Sequence, residues 1–294
     1  MALRSTVAGL SSPEDLARAL TGAMYLADDG IATAGYLSLA LGKPLLLEGA
    51  PGVGKTEAAK AIAGILGRQL IRLQCFEGID ASAALYEWNY PRQMLAIRQA
   101  REGETLDIYR DDFLIERPML TALRRPESTV LLIDEIDRSD HEFEAFLLEF
   151  LSDFSISIPE RGTLRAAERP VVVLTSNRTR ELHEALRRRC VYHYIAYPEP
   201  EREAQIIMMR SSAVAEGTAR AVVQAIGLLR QEPLAKPPGV AEAVDWAEAA
   251  TALARAGAPW PEAFRRSLGA AIKDEEDFVH LRPRLPAIIP GLAA

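Results

Sequence analysis

Residues Gly49–Thr56 read GAPGVGKT and constrain this chain more than any other stretch. They match the spacing GxxxxGK[ST] in full, between an apolar run, PLLLE, and a helix-forming run, TEAAKAIAGIL. A strand, a glycine-rich turn and a helix in that order make a cradle for phosphate. Gly49, Ala50, Pro51, Gly52, Val53 and Gly54 form the loop, in which Gly52 and Gly54 let backbone N–H groups wrap the anion at the start of a helix that opens with Lys55, Thr56 and Glu57. Lys55 reaches the β- and γ-phosphates of a nucleotide, and the Thr56 hydroxyl binds Mg²⁺.

The rest of the first two hundred residues repeats this alternation. PLLLEG, LIRLQ, TVLLID, VVVLTSN and VYHYIAY are strand-like runs separated by helical segments, the pattern of a parallel α/β sheet. The third and fourth runs are apolar throughout, as expected of central strands covered on both faces. Ser12 before Pro13, Glu14 and Asp15 predicts the start of an N-terminal helix. HEFEAFLLEFLSDF places Phe143, Phe146, Leu147 and Phe150 on one helical face, and the following 154–168 segment reads as an inserted β-hairpin. Past Tyr197 a proline-punctuated PEPERE leads into Ala- and Leu-rich helical stretches with no further strand. This places a boundary near Pro200, with domains at 1–199 and 200–294.

TVLLIDEIDR ends a strand at Asp134, whose carboxylate suits the magnesium shell, and the next residue, Glu135, is positioned to polarise an attacking water. Asn177, at the tip of VVVLTSN, is expected to orient that water, and Gln74, ending LIRLQ, offers a hydrogen bond that would hold Glu135 back. Asp137 and Arg138 are expected to form a structural or intersubunit pair rather than to act directly in catalysis. EALRRRC sets Arg187, Arg188 and Arg189 at the end of a short helix. A nucleotide on this kind of loop needs a cation on its outer side, so Arg188 or Arg189 is expected to act as an arginine finger in a neighbouring subunit.

Together these motifs resemble an AAA+ ATPase. More narrowly, RLQCFEGID, YEWNYPRQM, FLLEFLSDF, TSNRTRELHEALRRRC and PPGVAEAVDW resemble the CoxD-like branch of the MoxR-type ATPases. The resemblance implies a three-layer αβα core with a parallel five-stranded sheet and a C-terminal all-α lid. It also implies an ATP/ADP and Mg²⁺ cycle in a homo-oligomeric ring, commonly a hexamer. The implied work is remodelling of a client metalloenzyme, a molybdenum hydroxylase such as carbon monoxide dehydrogenase, alongside a partner with a von Willebrand factor A domain. One departure stands out. Lids of this kind usually offer an arginine where PPGVAEAVDW has Ala241 and Glu242, and Lys236 is the nearest substitute. Tyr86, Trp88 and Tyr90 fit either a client-contacting surface or a local core.

Composition narrows the alternatives. A net charge of -7 supplies no basic footprint, which disfavours nucleic acid, although a clamp- or helicase-loader type of AAA+ protein shares the same nucleotide chemistry. A small-molecule P-loop kinase would leave the arginines and the helical tail without a purpose. The two cysteines, Cys75 and Cys190, form no CxxC pair, the N-terminal stretch has no long apolar core, and no run approaches about 18 apolar residues. These features predict a cytoplasmic protein with no membrane span.

Overall fold

The computed structural model describes residues 9–100 and 106–289. Residues 1–8, part of the N-terminal stretch read above for a targeting segment, lie outside the described residues. The chain divides into two compact units. The first holds Ala27–Glu48 and Thr56–Tyr194 with the N-terminal helix; the second holds Met24–Leu26, Gly49–Lys55 and the chain from Ile195.

Nine strands occur among the described residues: β1 Leu45–Gly49, β2 Gln69–Gln74, β3 Tyr86–Trp88, β4 Leu114–Glu116, β5 Thr129–Asp134, β6 Ser155–Ile158, β7 Gly162–Arg165, β8 Val171–Ser176 and β9 Val191–Ile195. Five form one sheet in the order β2-β5-β8-β1-β9, in which β2 with β5, β5 with β8, and β8 with β1 run parallel. Every residue of β1, β5 and β8 is buried, which is why these runs carry no polar alternation. Of the sheet's edge strands, β9 alternates, whereas β2 is mostly part-buried or exposed along its length.

The predicted helices form for the expected reasons. Ser12 caps Pro13–Gly22 by accepting from the Asp15 amide, and Asp140 caps His141–Asp153 by accepting from the Phe143 amide. Phe143, Leu147 and Phe150 of the second helix are buried in the first unit's core, with Phe146 packed against it. The hairpin β6–β7 is antiparallel, and it sends Ile156 and Ile158 back into that core. A second pair, β3–β4, brackets the helix Tyr90–Gln99. Trp88 on β3 is buried and packs edge-on against Tyr86 and Tyr109, whereas Tyr90 is exposed, so this aromatic group divides between core and surface.

The second unit is helical from Pro200 onward among its described residues. Its core gathers Ile207, Val222, Ile226, Leu229 and Trp246, whose indole N–H donates to the Phe264 carbonyl at 3.1 Å. Arg230 makes a bidentate pair with the buried Glu203, at 2.9 and 2.7 Å, while stacking over Tyr197. A buried charge is tolerable there because both carboxylate oxygens are paired.

Candidate active site

Within the second unit the loop Gly49–Lys55 has the conformation its glycines allow. Gly52 and Gly54 take φ of 75° and 95°, a region that penalises any side chain. At Gly49 the constraint is space, since a Cβ there would collide with the Ile195 carbonyl oxygen. Lys55 is buried, its ammonium donating to the carbonyls of Gly49 and Ala50 at 2.8 Å each. The Gly52 carbonyl accepts from the Val240 and Ala241 amides, at 3.0 and 3.4 Å, which open the helix Val240–Arg255. Glu242 caps that helix by accepting from the Gly239 amide at 3.0 Å. Where an arginine was expected, backbone amides therefore meet the loop. Lys236 is largely exposed, its ammonium 4.0 Å from Asp274.

The first unit assembles the carboxylates. Asp134 ends β5, almost wholly buried, and the Thr56 hydroxyl lies 3.2 Å from its Oδ1. The Thr175 hydroxyl also donates to Oδ1, while Arg72 donates to Oδ2 from Nε at 2.8 Å. A hydroxyl and a carboxylate are hard oxygen donors of the kind Mg²⁺ takes, so these residues fit the metal, whose other ligands would be phosphate and water. Glu57, next to Thr56, pairs with Lys60 at 2.6 Å.

Glu135 takes φ of 55°, a left-handed conformation rare outside glycine, which turns its side chain at the strand tip. Its amide donates to the Thr175 hydroxyl at 2.9 Å. Gln74 donates to its Oε2 at 2.8 Å, and the Asn177 carboxamide stands 3.5 Å from Oε1. Glu135 and Asn177 thus face each other, with Gln74 on the other carboxylate oxygen.

Within the chain, Asp137 and Arg138 take different partners. Arg138 reaches Glu135 at 3.2 Å, while buried Asp137 accepts from the amides of Asn177 and Thr179 and from the Thr179 hydroxyl, at 3.1, 2.9 and 2.7 Å. The chain after β8 needs an acceptor for its free amides, and an ionised carboxylate meets that need better than a salt bridge would use it. Burial works to raise the Asp137 carboxyl, but the bonds from Thr179 and Asn177 outweigh it and hold the group below the usual carboxylate range. Burial, reinforced by the charges of Asp134, Asp137 and Glu135, pushes the Cys75 thiol up to about 12.

The three arginines close the helix Glu184–Arg189 and are held differently. Arg187 stacks over Tyr192 and lies 4.0 Å from the buried Glu48. Arg188 is exposed and pairs with Glu184, one turn back on the same helix. Arg189 donates to the Ser152 hydroxyl at 2.9 Å and to the Ala185 carbonyl at 3.0 Å.

Arg72 and Thr175 were not foreseen. Arg72 sits two residues before Gln74 on β2, so the two share one strand face; that spacing was the available signal. Thr175 offered only a hydroxyl near the end of a buried strand.

A glycine-rich loop leading a helix from the first of these strands, with a carboxylate pair at the tip of a parallel strand two places along the sheet, defines a P-loop nucleotide-binding fold. The family model described as "ATPase family associated with various cellular activities (AAA)" matches residues 45–196, more than half the chain, and the protein belongs to that family. The chain is similar to the "Chaperone MoxR1" of Mycobacterium tuberculosis, 28% identical over 197 residues that cover 65% of this chain and 46% of that protein. It is also similar to the "ATPase family AAA domain-containing protein FIGL1" of Arabidopsis thaliana, 32% identical over 173 residues, 56% of this chain and 21% of that one. The chain thus spans less than half the length of either relative. A RuvB variant from Thermotoga maritima matches with a TM-score of 0.50 at 18% identity, over 90% of this chain and 72% of that one, a likeness of fold.

Proposed function

We propose that this protein hydrolyses ATP as a MoxR-type AAA+ motor and uses the cycle to remodel a client protein. The observation that carries the reading is the pairing of Glu135 with Asn177 and Gln74 at the strand tips beside Asp134 and Thr56. Lys55 and the N–H groups of the loop's non-proline residues bind the phosphates, and Thr56 and Asp134 hold Mg²⁺, whose charge offsets that of the phosphate oxygens. Glu135 accepts the proton of the attacking water and Asn177 fixes its direction. In this reading residues 1–199 form the nucleotide-binding domain and 200–294 the lid. The subunits form a ring, commonly of six, and Arg188 or Arg189 crosses to the neighbour's phosphate.

The similarity to MoxR1 supports a chaperone role. The exposed apolar side chains of the helix Tyr90–Gln99, Tyr90, Met94, Leu95 and Ile97, offer a surface for the client. The resemblance of several sequence stretches to the CoxD-like branch supports a client of the molybdenum-enzyme kind, such as carbon monoxide dehydrogenase, in the cytoplasm. Among the described residues no helix is long and apolar enough to cross a membrane.

The test is the ATPase rate per subunit as protein concentration crosses the micromolar range, with Mg²⁺ and saturating ATP. A rate that climbs and then levels off is expected of a site completed between subunits. Lys55→Ala should lose ATP binding, and Glu135→Gln should bind ATP without turnover; equal ATP binding by wild type and Lys55→Ala would sink the assignment.

A further inference from the structure

We propose that Arg72 is a positioning residue that acts as a metal-operated latch, holding Asp134 and, through Gln74, Glu135 until the divalent cation arrives. The inference rests on the nucleotide-hydrolysis reading above and adds a step to it. Arg72 lies on β2, which pairs in register with β5, so that Gln74 stands opposite Asp134. Two of its nitrogens converge on one carboxylate oxygen, Nε at 2.8 Å and a terminal nitrogen at 2.7 Å from Asp134 Oδ2. The terminal nitrogen also donates to the Gln74 carboxamide oxygen, and the Gln74 amide nitrogen donates to Glu135 Oε2 at 2.8 Å. One guanidinium thus ties together both carboxylates on which the reaction depends.

A cation bound at Asp134 and a guanidinium within hydrogen-bond distance of the same carboxylate repel each other, because like charges at that range oppose strongly wherever water is partly excluded. Asp134 is almost wholly buried, whereas the Arg72 side chain is half-exposed, so Arg72 is the group able to leave. Its departure takes the donor from Gln74 Oε1 and loosens the hold of Gln74 on Glu135. Arrival of the metal and freeing of the base are thereby one event. A nucleotide without metal would leave the latch closed.

The experiment measures the affinity of the full chain for a fluorescent ADP with chelator and with Mn²⁺, and Mn²⁺ occupancy by the loss of the free-ion EPR signal. In Arg72→Gln the tightening of ADP binding produced by Mn²⁺ should exceed that of wild type about tenfold, with metal-free affinity unchanged. Arg72→Lys, which keeps a cation in reach of Asp134 but lacks the fork that also holds Gln74, should fall between wild type and the neutral variants. Arg72→Met repeats the neutral test should the glutamine variant not fold. Equal metal dependence in wild type and the neutral variants, with ADP bound normally, would overturn the latch. Absence of ADP binding by wild type in both conditions would overturn the nucleotide reading itself, and the metal-free arm makes that outcome recognisable.

Discussion

Replacing Asp137 by alanine should free the chain that carries Asn177 without touching any group assigned to nucleotide. The carboxylate accepts from three donors, the amides of Asn177 and Thr179 and the Thr179 hydroxyl. At about 1 kcal/mol per donor left without its acceptor, the low end for a buried polar group left unsatisfied, the loss is about 3 kcal/mol. At 1.4 kcal/mol per factor of ten, the two amides should exchange their hydrogens about a hundredfold faster. Hydrogen exchange followed by NMR or by mass spectrometry of the peptide spanning β8 and its following loop reads this directly. The pH dependence has a definite sign. Asp137 is held below the usual carboxylate range in the folded protein, so its stabilisation is complete above the unfolded value of about 4 and is lost as pH falls through the lowered folded value. The gap between wild type and Asp137→Ala should therefore be constant from pH 7 to pH 5 and close only under acid conditions. Unchanged exchange at Asn177 and Thr179 would refute the argument, as would a gap that closed near neutral pH.

Other outcomes are expected elsewhere in the chain. One of Arg188→Ala and Arg189→Ala should lower kcat about a thousandfold while ATP binding stays at the wild-type level; steady-state kinetics of both variants would reveal the finger, and two unchanged rates would remove it. Trp246→Phe should destabilise the helical unit by about 3 kcal/mol, because the indole is wholly buried, bonded to the Phe264 carbonyl and edge-on to its ring; urea unfolding followed by circular dichroism measures it. Burial pushes both thiols up to about 12, so at pH 8 only about 1 in 10⁴ is thiolate, and neither Cys75 nor Cys190 should react with iodoacetamide until urea is added. Mass spectrometry of the labelled protein decides.

The parts of the molecule legible in its sequence are those set by local chemistry. The three central runs of the sheet could be read because buried strands need continuous apolar side chains, and the phosphate loop because its glycines are needed for backbone geometry. The hairpin β6–β7 followed from its alternation and its glycine at φ 82°. The short strands β3 and β4 went unread, since three residues each give no periodicity and they pair across 30 positions of chain. The partners of Asp137 within the chain went unread for a related reason. An acid beside an arginine looks like a pair, yet the amides it serves lie about 40 residues on, brought near only when β8 docks on β5. Gln74 was correctly suspected of reaching Glu135, but Arg72, on the same strand face and 62 residues from its partner, was passed over.

The bond from Val240 to the Gly52 carbonyl makes the phosphate loop the fulcrum of a lever. The helix anchored there has sixteen residues and so extends about 24 Å. A tilt of roughly 10° at its anchored end would carry the far end, at Arg255, through about 4 Å, since a rigid helix of that length moves as a rod. A shift of the loop too small to alter its own hydrogen bonds would thus be magnified at the distant end of that rod. The leverage is set by how many residues the helix contains, and lengthening or shortening it by one turn would change the stroke by about a quarter.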